Sequence, residues 1–256
     1  MSRLQQLYHR HVPPRIRFPI GRLRRDLIDV WTRVAGGHGP LPPRRVLQKV
    51  QHTVWVMEFL EVGAKCAGTV RTVLQELDLD APGTRVLDFG CGMGRTLRHF
   101  RHDGWQLQGC DVDADSIAWS RRTVPFVALE VNGEEPPLPY ADGTFDVVYA
   151  ISVFSHFPTH LQGPWARELA RVLRPGGVAL VTTMGPWVFD PLPPSDEASE
   201  AVDGFWFVRA GKDFNDSAAI HTEAGLRHFF EPTFETLDWR RGGLDGFQDL
   251  GIFRKP

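Results

Sequence analysis

A chain of 256 residues with 42% hydrophobic and 23% charged residues has ordinary globular composition and is long enough to bury a full core, as one α/β domain with an appended segment. No apolar run approaches the roughly 20 residues needed to cross a bilayer, so no membrane span is expected. Cys66, Cys91 and Cys110 are odd in number and form no CxxC pair, which argues against a disulfide framework or a metal site and for a reducing, cytoplasmic setting.

The net charge of −2 hides an asymmetry, because residues 1–50 hold 11 Arg/Lys and two acids whereas residues 51–256 hold 18 bases and 29 acids. The expected division is an Arg-rich, helical N-terminal arm over 1–50 and a larger domain over 51–256. Such an arm suits the acidic body of its own chain, or an external phosphate or membrane surface. An organellar transit peptide fits less well, since Ser2 and Thr32 are the segment's only hydroxyl side chains of that type.

After the Gly-Pro-Pro punctuation between Gly36 and Pro43, apolar residues at Phe59, Val62, Cys66, Val70, Val73, Leu74 and Leu77 recur every three or four positions, which predicts an amphipathic helix over 54–79. The period then changes. A short apolar run, 85–89, meets the cluster Gly90-Cys-Gly-Met-Gly94, and a helix is expected over 95–101. The alternation continues with a strand at 106–111, a helix at 113–122, strands at 126–131 and 145–150, a helix at 164–173 starting on Pro164, and a strand at 178–183 after Pro175-Gly-Gly177. Strands alternating with helices imply parallel crossovers and a doubly wound sheet. Residues 185–204 are rich in Pro and acids, fit neither period, and are flanked by Trp187, Phe189, Phe205, Trp206 and Phe207; the whole segment 185–221 reads as a surface insertion or lid. A helix over 222–230 and two strands, 234–240 and 247–254, joined through Gly242-Gly243, close the chain as an antiparallel hairpin.

The most informative stretch is Val86-Leu-Asp88-Phe-Gly90-Cys91-Gly92-Met-Gly94-Arg95. Glycines two apart let the backbone turn tightly after a strand and let a ligand approach closely. The dinucleotide fingerprint would need a third glycine where Arg95 stands, and a carboxylate at Asp88 repels a pyrophosphate but suits a ligand carrying an ammonium and a sulfonium.

On these residues the chain resembles the class I S-adenosylmethionine-dependent methyltransferases over about 55–183, with the order of elements continuing to the C-terminus. The resemblance implies a Rossmann-like, seven-stranded, mostly parallel sheet with a C-terminal antiparallel hairpin. It also implies S-adenosylmethionine as cofactor, with S-adenosylhomocysteine as product. Asp88, Gly90, Cys91, Gly92, Gly94 and Arg95 correspond to the family's glycine motif, and Asp111, with Val112 beside it at the end of the second strand, to the acid that takes the ribose hydroxyls. Asn132 and Gly133 correspond to the adenine-edge region, with Glu134 as a competing alignment, and Ile151-Ser152 to the end of the fourth strand. His156, just after that strand, sits at the carboxyl edge where open α/β sheets bind ligands and has the pKa range of a general base. A histidine there also suits simple packing at a helix start. His221, at the start of the helix after the lid, is a second candidate for that role.

The substrate signals are sparse. The Asn/Asp-Pro-Pro-Tyr motif of amino-methylating nucleic-acid enzymes is absent after the fourth strand, and no cysteine there follows a proline. The approach Phe59-Leu-Glu-Val-Gly63 and the closing Gly246-Phe-Gln-Asp-Leu250 resemble a group of bacterial small-molecule methyltransferases, with Phe247 standing where that group carries a histidine. The expectation is methyl transfer to a small-molecule acceptor at oxygen. Its rivals are a nucleic-acid or ribosome-directed methyltransferase using the basic arm, and a non-catalytic S-adenosylmethionine-binding protein.

Overall fold

The structure, a computed structural model, describes residues 26–32, 40–43, 47, 55–188, 200–202, 204–209 and 217–256. By contacts the chain divides into two compact units, Met1–Glu61 and Val62–Pro256. Most of the basic arm, and residues 189–199, 203 and 210–216 of the expected lid, lie outside the described residues. Within the first unit a helical stretch at 26–32 buries Asp29, whose carboxylate accepts the Val56 N–H at 2.7 Å.

The larger unit is built on a seven-stranded sheet in the order β3-β2-β1-β4-β5-β10-β9. Its strands are β1 (Arg85–Phe89), β2 (Gln106–Asp111), β3 (Ala128–Val131), β4 (Phe145–Ala150), β5 (Leu173–Thr183), β9 (Glu235–Leu244) and β10 (Gln248–Arg254). The pairs among β1 to β5 are all parallel, and β10 runs antiparallel to both β5 and β9. The central strands read as continuous apolar runs because helices cover both faces. Period-two alternation then divides each strand between two cores. Leu87, Phe89, Val148, Ala150, Ala179 and Val181 point into one, with Trp165 and Phe230. Val86, Val147, Tyr149 and Leu180 point into the other, with Val70, Leu74 and Phe100. Each fully buried Leu, Val or Phe contributes about 1.5–3 kcal/mol.

Helices α1 (Val56–Glu76), α2 (Ala114–Thr123), α3 (Thr159–Val172) and α4 (Glu223–Phe230) supply those covers. Cys66, Val70, Val73 and Leu74 form the buried stripe of α1, whereas Val62 is exposed. Asp113 caps α2, accepting the Asp115 N–H and the Ser116 hydroxyl. Thr222 does the same for α4 through the Gly225 N–H at 3.1 Å.

Several expectations need correction. The glycine cluster leads into turns and a single 3-10 segment, Leu97–Phe100, rather than an α-helix over 95–101. The competing partner is the Arg71 guanidinium, which takes the His99 carbonyl and pairs with Asp103 at 2.7 and 2.8 Å. Helix α3 starts at Thr159, five residues before Pro164, which lies inside it. Gln162 secures that start by donating to the carbonyls of Phe154 and Phe157 at 3.1 and 2.7 Å. The carbonyl that Pro164 leaves without an intrahelical donor belongs to exposed His160.

The segment read as irregular contains a second sheet, three antiparallel strands β6 (Glu200–Val202), β7 (Phe205–Arg209) and β8 (Ser217–His221). Phe205, Phe207 and Ala219 form its buried face, a period-two signal that the intervening Trp206 conceals in the sequence. His221 accordingly ends a strand instead of starting a helix. The last hairpin turns at Asp245 and Gly246, both with left-handed backbone at φ 55° and 71°, and β9 runs on through Gly242-Gly243.

Candidate functional site

The carboxyl ends of β1, β2, β3 and β4 bring the expected residues to one edge of the sheet. At the end of β1, Gly90, Gly92 and Gly94 adopt φ of +79°, +50° and +65°, which other L-residues adopt only with strain. A Cβ on Gly90 would overlap the Val153 side chain, and one on Gly94 would lie 3.1 Å from Val124 of the α2 C-cap. The turn is held from below. Gly90 and Cys91 N–H groups share the Cys110 carbonyl at 2.8 and 3.0 Å, Gly92 N–H donates to Asp111 Oδ2 at 2.7 Å, and the Ser120 hydroxyl donates to the Gly92 carbonyl at 3.0 Å.

Cys91, Cys66 and Cys110 are buried free thiols, and burial pushes the pKa of each upward. Cys91 thus serves the turn through its backbone. Arg95 packs where Gly63 of α1 comes close enough that a Cβ there would overlap the Arg95 carbonyl, which explains that glycine. Burial lowers the Arg95 pKa, opposed by Cys66 and Asp88.

Asp88 is buried at the end of β1. Burial lifts its pKa from 3.8 to about 7, the 2.8 Å hydrogen bond from the Tyr149 hydroxyl pulls it down, and Asp111 raises it further. An acid in that condition is poised to ionise when a cation arrives.

Asp111 ends β2 with each oxygen taking a backbone N–H, Oδ2 from Gly92 and Oδ1 from Asp113 at 2.9 Å. The carboxylate is therefore fixed in orientation before any ligand is present. Asn132 follows β3, its N–H bonded to the Asp111 carbonyl at 3.1 Å and its Nδ2 to the Gly133 carbonyl at 2.7 Å, while its buried Oδ1 has no partner among the described residues. Glu134 instead lies exposed and offers its backbone carbonyl to the Trp165 indole at 3.2 Å. Beside Asp111 and Asn132, Val112 and Val131 are 44% and 43% exposed, an apolar pair at the strand ends.

On the other side of the edge, Ile151 and Ser152 follow β4. Ser152 has φ +60°; its N–H donates to Thr182 Oγ1 at 2.8 Å and its hydroxyl to Gln248 Oε1 at 2.9 Å. His156 Nδ1 lies 2.8 Å from the Ser217 carbonyl, which only accepts, so that nitrogen carries the proton and the basic lone pair of the neutral ring is on Nε2. His221 differs: it is fully buried between Thr183 and Phe205, and burial depresses its pKa to about 3, making it a poor proton acceptor. Sequence reasoning missed Thr182 and Gln248, which look like ordinary strand residues until the sheet brings them to Ser152.

Comparison with known proteins places this geometry. The family described as "Methyltransferase domain" matches residues 87–181. The chain is 33% identical over 162 residues to the methyltransferase GfsG of Streptomyces halstedii, covering 59% of this chain and 55% of that protein. It is 36% identical over 115 residues to a fatty-acid O-methyltransferase of Mycolicibacterium smegmatis, covering 42% and 39%. The chain thus spans about half, or less, of these curated relatives. In fold it is similar to a SAM-dependent methyltransferase from Methanosarcina mazei, with TM-score 0.56, 18% identity, and coverage of 70% of this chain and 95% of that one.

The residues fit the family's cofactor, S-adenosylmethionine. The unpartnered Asn132 Oδ1 suits the amine of an adenine edge, Val112 and Val131 its ring faces, Asp111 the ribose hydroxyls, and Asp88 a cationic tail. The family matched over residues 87–181, the methyltransferase relatives and this fit together support a class I S-adenosylmethionine-dependent methyltransferase domain in this chain.

Proposed function

We propose that the protein transfers a methyl group from S-adenosylmethionine to an oxygen of a small-molecule acceptor. The observation that carries the reading is the convergence of the glycine turn, the pre-oriented Asp111 carboxylate and the unpartnered Asn132 Oδ1 at one sheet edge. When bound, the cofactor supplies an electrophilic methyl on a sulfonium. The chain's own residues orient and bind it: Gly90 to Gly94 admit it closely, Asp111 and Asn132 hold its nucleoside end, and Asp88 balances its positive charge. Arg95 stays beneath the turn, and Gly133, Ile151 and Ser152 shape the rim. Orientation of this kind is worth up to about 7–11 kcal/mol.

His156 is the proposed general base. Its Nδ1–H is tied to the Ser217 carbonyl, and Nε2 is the atom that receives the proton of an acceptor hydroxyl. Oxygen as acceptor atom is supported by the fatty-acid O-methyltransferase relative. Residues 185–221 are proposed to supply acceptor contacts, and residues 1–50 to act as an arm outside a catalytic domain of 51–256.

The test is a screen for labelled methyl transfer from S-adenosylmethionine to hydroxyl- and carboxyl-bearing small molecules, with RNA as a parallel arm. Label on a small molecule as a base-labile ester or base-stable ether supports the reading. Label confined to RNA, or to carbon or nitrogen of the product, overturns it.

A further inference from the structure

Ser152 is a non-glycine residue in the left-handed region, at φ +60°, immediately after β4. Such backbone carries strain, persists only when its surroundings fix it, and gathers at functional sites. Here the surroundings are a closed set of hydrogen bonds. Ser152 N–H donates to Thr182 Oγ1 at 2.8 Å, the Thr182 hydroxyl donates to Gln248 Oε1 at 2.8 Å, and the Ser152 hydroxyl donates to the same Oε1 at 2.9 Å. Thr182 and Gln248 are 1% and 3% exposed, so water does not compete for these groups. Both hydroxyl protons are spent on one amide oxygen, and among the described residues Gln248 Nε2 meets the Met184 sulfur at 3.6 Å.

The next residue transmits the arrangement. Val153 occupies the space that a Cβ on Gly90 would need, so the position of the 151–153 segment sets one wall of the glycine turn. The chain of contact runs from β10, through Ser152 and Val153, to the backbone that receives the cofactor.

We infer that Gln248, with Thr182, is a positioning residue that locks the Ser152 backbone in its left-handed form and thereby holds Val153 against the glycine turn in its cofactor-receiving shape. The inference rests on the reading of that turn as the S-adenosylmethionine site. It makes a specific demand on a second substitution, because glycine adopts positive φ without help.

The experiment is calorimetric titration of the full chain with S-adenosylmethionine, with thermal unfolding measured alongside. Gln248→Met, similar in size but without the acceptor oxygen, is expected to weaken binding about tenfold, and Ser152→Gly added to it to restore most of that loss. A packing defect alone would lower thermal stability in both variants and give no rescue. Should Gln248→Met not fold, Thr182→Val removes the acceptor of the Ser152 N–H and makes the same demand. Unchanged affinity in the single variant, or a loss that glycine does not rescue, overturns the inference while wild-type binding leaves the site reading intact. Absence of binding by the wild-type chain overturns both.

Discussion

Between Gly90 and Gly133 the site is tied together by partners close in the chain. Gly92 reaches Asp111 across 19 residues, Ser120 reaches back to Gly92 across 28, and Asp113 reaches Asp111 across two. From Ile151 onward the partners come from far away, with Ser152 bonded to Gln248 across 96 residues and His156 to Ser217 across 61. The first region is a strand-turn-helix unit whose bonds are dictated locally. The second exists only once the last strand and the small sheet have docked. The contrast teaches that one side of the edge is specified by the local motif, as suits a common cofactor. The other is assembled from distant elements, Gln248 of the last strand at Ser152 and Ser217 of the small sheet at His156, so no local motif specifies it.

The account is easiest to break where the two regions touch. Gly90→Val combines a β-branched residue at φ +79° with an overlap at Val153, so we expect a stability loss of about 2–6 kcal/mol and no measurable cofactor binding. Denaturant unfolding with calorimetry checks both; a stable variant that binds normally would show that the two regions are not in register.

His156→Gln sharpens the comparison from the acceptor side. Turnover on the acceptor should fall about 10²–10⁴-fold, with cofactor affinity unchanged. Equal loss of cofactor affinity would move His156 to the other region.

Asp88 gives a pH signature to the cofactor side. Its folded pKa of about 7 lies above the ordinary 3.8, so the folded chain holds a proton that the unfolded chain has released. Stability from this group is full below pH 3.8 and is lost as pH rises toward 7 and beyond, by about 4 kcal/mol at most. Asp88→Asn should flatten that fall in unfolding experiments between pH 5 and pH 8. Affinity for the cationic cofactor should rise through the same window in the wild type and not in the variant, because the cation favours the ionised acid.

These regions also differ in how far the sequence discloses them. The strands at 85–89, 106–111 and 145–150 match expectation residue for residue, since each is a short run bounded by turn or glycine signals, and Asp113 marks the start of α2. Asp111 and Asn132 stand where the motif spacing puts them. The 3-10 segment after the glycines does not announce itself, because what displaces the α-helix is Arg71 on a separate helix. Strand β7 is hidden because aromatic residues occupy both of its faces, and His221 is misread as a helix start because β8, Ser-Ala-Ala-Ile-His, is buried at every position but Ala218 and shows no alternation. Thr182 carries no motif, and Gln248 lies in the closing stretch 246–250 without any role being readable there; what brings them together is the antiparallel register of β10 on β5, a contact no local period encodes.

The central claim is that Asp111, fixed by the Gly92 and Asp113 N–H groups, is the ribose ligand of an S-adenosylmethionine site. Calorimetric titration of Asp111→Ala beside the wild type tests it most directly. The account predicts single-site binding by the wild-type chain and a loss of about 1–3 kcal/mol in the variant, the contribution of hydrogen bonds to a charged group. Equal affinity in a folded Asp111→Ala chain, or no binding by the wild type, would contradict it.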